Sequence, residues 1–205
     1  MIQTLIFDFG NVVGFFDHRL VSSRLRPHAA VAAEEIHQLI FGGALEDDYE
    51  RGKLTSTEFL RHLRDRCGLG CPDEVLVQSY VDIFWPNPDV CSLLPRLKPA
   101  YRLMLASNTT ELHSRHFRQQ FAEPLRYFDD LVLSFEIGAR KPSPAFFAHC
   151  LERAGCPASA CVLIDDLAAN VAGARACGLH GIVYTGPESL RRQLADLGIR
   201  VDGGW

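Results

Sequence analysis

Hydrophobic positions along this chain fall into two alternating patterns. Short, nearly continuous apolar runs occupy residues 5–7, 101–106, 131–135, 161–164 and 180–184, and the first, second and fourth stop abruptly at polar clusters. Runs of this length predict strands buried on both faces. Helical spacing separates them over 89–98, from 110 to Phe121, over 144–154, from Asp166 to Cys177, and over 188–197. Gly178 follows the fourth of these as a left-handed stop. Strands alternating with helices predict an α/β fold, a doubly wound, Rossmann-like parallel sheet with right-handed crossovers.

The stretch from Asn11 to Pro86 reads differently. Helical periodicity appears over 28–40, 55–67 and 72–84, and Thr55-Ser56-Thr57-Glu58 carries the capping-box pattern. No strand is expected anywhere in this stretch. The pattern predicts a helical insertion, with Trp85-Pro86-Asn87-Pro88 as the return hinge. The expected organisation is a core of residues 1–15 and 88–205 around an insertion of 16–87, with residues 202–205 as a frayed tail.

Composition narrows the setting. The 205 residues are 47% hydrophobic and 22% charged, ordinary for one globular domain. A net charge of −4 argues against a nucleic-acid partner. No apolar run approaches a membrane span, and the first one, broken by Asp8, is no signal peptide, so a cytoplasmic protein is expected. The seven scattered cysteines suggest neither a disulfide framework nor a zinc site. Nothing in the chain specifies an oligomeric state.

Three apolar strands end in chemistry: Asp8, then Ser107-Asn108-Thr109, then Asp165-Asp166. A parallel sheet gathers its strand ends at one edge, where ligands bind. Three carboxylates there repel unless a cation joins them, and Mg²⁺ with a substrate phosphate suits hard oxygen donors. Asp165-Asp166 also fits a helix start. Asn108, three residues before Glu111, fits an N-cap, and the same donors at a helix N-terminus make an anion site. Lys141 balances the charge left by three carboxylates and Mg²⁺. His113 and His116 read as surface residues, Glu46-Asp47-Asp48 as a solvated helix start, and Phe15-Phe16 as packing.

Asp8-Phe9-Gly10-Asn11-Val12-Val13, Ser107-Asn108-Thr109, Lys141-Pro142 and Asp165-Asp166 with Asn170 resemble the four ordered motifs of the haloacid dehalogenase superfamily. The pattern looks most like its sugar-phosphatase branch, which includes alpha-glucose-1-phosphate phosphatase, with the phosphatase domain of epoxide hydrolases a further relative. The resemblance implies that the insertion is a helical cap and that Asp8 attacks phosphorus, forming an aspartyl-phosphate. Asp8, the Gly10 carbonyl and Asp166 would hold Mg²⁺, with Asp165 joining directly or through water. Ser107 and Asn108 would bind the phosphoryl oxygens, Lys141 would neutralise them, and Asn170 would orient the acid pair. The expected activity is hydrolysis of a small phosphorylated metabolite such as a sugar phosphate.

One position departs from the pattern. Most phosphatases of the superfamily carry a second aspartate, the general acid and base, where this chain has Gly10. Losing a general acid costs ~10²–10⁴ in rate, so slow turnover is expected. Asp17 could supply the proton if its loop folds back. Two other readings remain at this stage: a metal-free 2-haloacid dehalogenase, which the acid pair argues against, and a degenerate domain that binds a phosphorylated ligand or a protein.

Overall fold

The computed structural model describes residues 1–201; the expected tail lies outside the described residues. In chain order the elements are β1 (Thr4–Phe7), β2 (Gly14–Phe16), α1 (Arg19–Leu25), α2 (Ala33–Phe41), α3 (Ala44–Glu50), α4 (Ser56–Cys67), α5 (Asp73–Val81), β3 (Phe84–Pro86) and α6 (Pro88–Leu97). Then come β4 (Arg102–Ser107), α7 (Glu111–Gln120), α8 (Ala122–Leu125), β5 (Asp130–Leu133), α9 (Ser134–Ile137), α10 (Pro144–Ala154), β6 (Cys161–Asp165), α11 (Ala168–Ala176), β7 (His180–Val183) and α12 (Pro187–Asp196).

The main sheet has the order β5-β4-β1-β6-β7, and every pairing in it is parallel. β1 is central and wholly buried. Its side chains alternate between the two faces, as strand geometry requires. Leu5 and Phe7 pack with Leu103, Leu105 and Ile164 under α6, α7 and α12. Ile6 packs with Met104, Ala106 and Leu163 under α10 and α11. The sheet is therefore covered by helices on both sides, as the strand–helix alternation predicts.

Register brings the strand ends level. Phe7 pairs with Leu105 on one side and Ile164 on the other, so Asp8 stands level with Ala106 and Asp165. The Asp8 amide extends the ladder by one bond, donating to the Ile164 carbonyl at 2.8 Å.

The helices between β2 and β3 have their own apolar cluster, in which Leu25, Ile36, Ile40, Tyr49, Phe59, Leu63 and Tyr80 are buried. The expected capping box is present: Thr55 Oγ1 accepts from the Glu58 amide, and the Glu58 carboxylate accepts from the Thr55 amide. Gly68, at φ 60°, ends that helix in the left-handed conformation. The expectation of no strand in this stretch is incorrect at its two ends. β2 and β3 pair antiparallel, Phe15 opposite Trp85, and the expected hinge residues Trp85 and Pro86 lie in β3. Each strand has only three residues, too few for a visible alternation. The helix expected over 28–40 begins at Ala33, after a 3₁₀ turn at Arg26–His28, and the one expected to reach Phe84 ends at Val81. The strand expected over 131–135 stops at Leu133, where α9 begins.

Candidate active site

Lys141 joins the three strand ends. Its ammonium group stands 2.7 Å from Asp8 Oδ1 and donates to Asp165 Oδ2 at 2.6 Å and to the Ala106 carbonyl at 2.7 Å. All three N–H donors are thereby used. The Lys141 side chain is 1% exposed, Asp8 11% and Asp165 0%. Burial opposes the ammonium form, but Asp8 and Asp165 outweigh it and hold Lys141 up at about 12. Burial likewise lifts Asp8, to about 7, against the pull of Lys141 and with Asp165 and Asp166 adding repulsion.

Asn108 sets where Lys141 sits. Its Oδ1 accepts from the Lys141 amide at 2.8 Å and its Nδ2 donates to the Lys141 carbonyl at 3.0 Å. This reciprocal pair replaces the expected N-cap role. Thr110 caps α7 instead, accepting from the His113 amide, because the Asn108 amide is engaged with a residue 33 positions away.

The acid pair divides its tasks. Asp165 accepts from Lys141, from the Leu167 amide and from Asn170 Nδ2, which reaches both of its oxygens at 2.9 and 3.1 Å. Its lone pairs are largely filled. Asp166 is half-buried and accepts from Asn11 Nδ2 at 3.0 Å; burial raises its pKa. Asn11 reaches it from a left-handed conformation, φ 55°, which asparagine tolerates better than most residues.

One carboxylate oxygen each from Asp8, Asp165 and Asp166 lies within 4.8 Å of the others. These hard oxygen donors suit Mg²⁺, and because burial raises Asp8 and Asp166, with Asp165 adding repulsion, a cation among them would offset the cost of their charge. The residues fit that ion.

A cavity of about 250 Å³ opens onto this group. Asp8, Gly10, Asn11, Asn108, Lys141, Asp166 and Asn170 form its floor, while Phe16, His18, Glu46, Glu50, Arg140 and Leu167 form its walls. Ser107 does not line it; it is buried at the end of β4, its hydroxyl donating to the Asn108 carbonyl at 3.3 Å. Asp17 also lies outside the lining, paired with Arg19 at 3.4 Å and accepting from the Arg19 amide.

The wall contains residues that local sequence patterns did not mark. Glu46-Asp47-Asp48 does start a helix, but Glu46 is not solvated: it is half-buried and faces the cavity, one turn before Glu50. Arg140 Nε stands 2.6 Å from Glu50 Oε2, with the N–H off the line, so both buried atoms lack a well-directed hydrogen bond. Arg140 also pairs with Asp47, which pairs in turn with Arg51 at 2.7 Å. The available signal was two glutamates four apart on one helix face, with a lone Arg-Lys dipeptide elsewhere.

Phe16 both packs and walls the cavity. It packs at a tilt against His18 and Phe84 and fills the space beside Gly10, where a Cβ would fall 2.8 Å from the Phe16 ring. His113 is not a surface residue. It is buried, stacks on Tyr80 at 4.1 Å and bonds the Tyr80 carbonyl, and burial pushes it down to about 3.

The family model described as "Hydrolase: haloacid dehalogenase-like hydrolase" matches residues 2–178. The chain belongs to this family. As a haloacid dehalogenase-like hydrolase it is an enzyme, and its relatives include phosphatases. D-ribitol-5-phosphate phosphatase of Bacteroides thetaiotaomicron is 28% identical, over 83% of this chain and 86% of its own. Phosphatase MT3486 of Mycobacterium tuberculosis is 29% identical over 98% of both. A solved haloacid dehalogenase-family enzyme of B. thetaiotaomicron, in complex with magnesium and inorganic phosphate, superposes with a TM-score of 0.78 at 24% identity, covering 88% of this chain and 93% of that one. Among the described residues of this hydrolase, no helix is long and apolar enough to cross a membrane.

Proposed function

We propose that this hydrolase is a Mg²⁺-dependent phosphomonoesterase that cleaves a small, hydroxyl-rich phosphorylated metabolite such as a sugar phosphate. The carrying observation is the convergence of Asp8, Asp165 and Asp166 around one buried lysine at the sheet's carboxyl edge. The two phosphatase relatives support the reaction, and the ribitol-phosphate enzyme and the magnesium–phosphate complex support the substrate class and the ion. The cavity is at or below the small end for ligand pockets, and Glu46, Glu50, His18 and Arg140 set polar groups beside Phe16 and Leu167 in its wall, which suits a small metabolite with hydroxyls to bind.

In this reading Asp8 attacks phosphorus, the ester oxygen departs, and water then releases phosphate from the acyl-phosphate. Asp8, Asp166 and the Gly10 carbonyl would hold Mg²⁺, with Asp165, already saturated by protein donors, behind them. Bound there, the ion would polarise a phosphoryl oxygen and offset carboxylate charge. Lys141 keeps Asp8 aligned and contributes fixed positive charge; Asn108 and Asn170 position Lys141 and Asp165. Ser107 and Asn108 line up the β4 end, and either must turn from its present bond to touch a phosphoryl oxygen directly. The helices of 16–87 act as the cap closing over the cavity.

The test is hydrolysis of p-nitrophenyl phosphate and a sugar- and polyol-phosphate panel, with Mg²⁺ and with EDTA. Expected are metal-dependent turnover and its loss in Asp8→Asn. Turnover indifferent to EDTA, or unchanged in Asp8→Asn, refutes the reading. Metal-free dechlorination of 2-chloropropionate would replace it with the dehalogenase.

A further inference from the structure

Position 10 cannot provide a proton, and the space a side chain there would enter is filled by Phe16. We propose that Glu46, reaching the cavity from α3, protonates the departing ester oxygen and later takes the proton from the attacking water. This rests on the phosphatase reading and adds to it the missing acid–base group.

Several groups face the cavity, and most are unsuited to the task. Lys141 has all three donors committed to Ala106, Asp8 and Asp165. His18 is wedged between Phe16 and Phe41, stacked on Phe41 at 3.9 Å, and burial pushes it down to about 4, so it has no proton to give at neutral pH. Arg140 holds Glu50 and Asp47. Asp8 and Asp166 belong to the nucleophile and metal group. Asp17 lies outside the cavity. The Tyr80 phenol, on α5, is fully buried and does not line the cavity.

Glu46 remains. Glu46 and Glu50 are one turn apart on one helix face, and two adjacent carboxyls in a half-closed cavity cannot both ionise freely. Burial raises Glu50 as well, but the Arg140 guanidinium at 2.6 Å works against that and favours the charge on Glu50 rather than on Glu46. Glu46 has no ion pair among the described residues and so keeps the proton. Burial, then Glu50, raise it to about 8, against Arg140, with Asp47 adding a smaller repulsion. A carboxyl that titrates near the working pH can both give and accept a proton.

The steps balance. In the first, the Asp8 carboxylate forms its O–P bond, the P–O bond to the leaving group breaks, and the Glu46 proton goes to the leaving oxygen. In the second, water attacks phosphorus from the side the alcohol left, Glu46 carboxylate removes its proton, and the P–O bond to Asp8 breaks. Phosphate leaves and both side chains are restored.

The experiment measures kcat/KM, which reports the first displacement, for full-length wild type and Glu46→Gln with Mg²⁺. The substrates are p-nitrophenyl phosphate, phenyl phosphate and glycerol phosphate, whose leaving groups grow steadily more basic. Expected is a loss of ~10²–10⁴ on glycerol phosphate, a smaller loss on phenyl phosphate and almost none on p-nitrophenyl phosphate. KM should stay steady, and the alkaline limb of the wild-type pH profile near 8 should vanish in the variant. Equal losses on all three substrates, a change in KM alone, or no loss overturns the assignment while metal-dependent, Asp8-dependent turnover keeps the phosphatase reading. Wild type inactive on every substrate, or turnover surviving Asp8→Asn, overturns both.

Discussion

Replacing Lys141 with methionine tests the energetic centre of the site. Methionine fills similar space but removes the charge and three bonds of 2.6–2.7 Å, to Asp8, Asp165 and the Ala106 carbonyl. Asp165 is fully buried and left with only the Leu167 amide and Asn170. Asp8, at about 7 even beside the lysine, escapes part of the cost by taking up a proton. Removing one partner of a buried pair costs ~3–5 kcal/mol. For a chain of this size that is a fall of about 6–20 °C in Tm, at ~2–4 °C per kcal/mol. The assay is urea unfolding at pH 7 in EDTA for wild type, Lys141→Met, Asp165→Asn and the double variant. The double variant should lose less than the sum of the singles, by about 1–3 kcal/mol, because its neutral amide no longer needs the lysine. A loss below about 1 kcal/mol in Lys141→Met, the range of a surface pair, with additive singles, would show that the three bonds do not act as a buried unit.

Other perturbations read neighbouring features. Asn108→Ala removes both bonds to the Lys141 main chain; it should cost about 1–3 kcal/mol by thermal melting and lower kcat more than it raises KM. Glu46 holds its proton more tightly folded than unfolded, so its stabilising contribution is complete below about 4.5 and is lost as pH rises through about 8. Glu46→Gln should therefore gain on wild type by up to ~1.4 kcal/mol per pH unit across that window in urea midpoints; a constant difference refutes the shift. Gly10→Ala places a Cβ against Phe16 and should destabilise by ~1–3 kcal/mol, a loss that Phe16→Leu relieves in the double variant. Mg²⁺ at a hundredfold excess over its Kd should stabilise wild type by ~2.7 kcal/mol in melting experiments, and Asp166→Asn should blunt that gain.

The parts legible in the sequence were those where one local pattern governs. Buried strands ending in polar residues were visible because β1, β4 and β6 are covered on both faces, and parallel topology did the gathering. The Thr55 cap was visible because all its partners lie within four residues. The wall of the cavity was not. Arg140 meets Asp47 across 93 positions, so Glu46 and Glu50 acquire their setting from how α3 docks on the Lys141 loop, which periodicity does not encode. Asn108 was misread for the same reason: its local neighbours offered a helix start, and a distant backbone competed better. His113 sits on a helix otherwise rich in polar residues, and the rings of Tyr80 and Phe84 packed against it mark that face as interior.

The pairing of β2 with β3 has a consequence beyond the chemistry. The chain leaves the sheet and returns to it side by side, Phe16 opposite Phe84, and the Asp17 amide still donates to the Ile83 carbonyl at 3.2 Å. Everything between begins and ends at one point, like a module on a single plug. A tight turn joining Asp17 to Ile83 would close a plain hairpin without disturbing a bond of the main sheet, and a different set of helices could be spliced onto the same two strands. Such a junction would let the part of the wall carried by His18, Glu46 and Glu50 be exchanged while the Asp8 edge stays fixed.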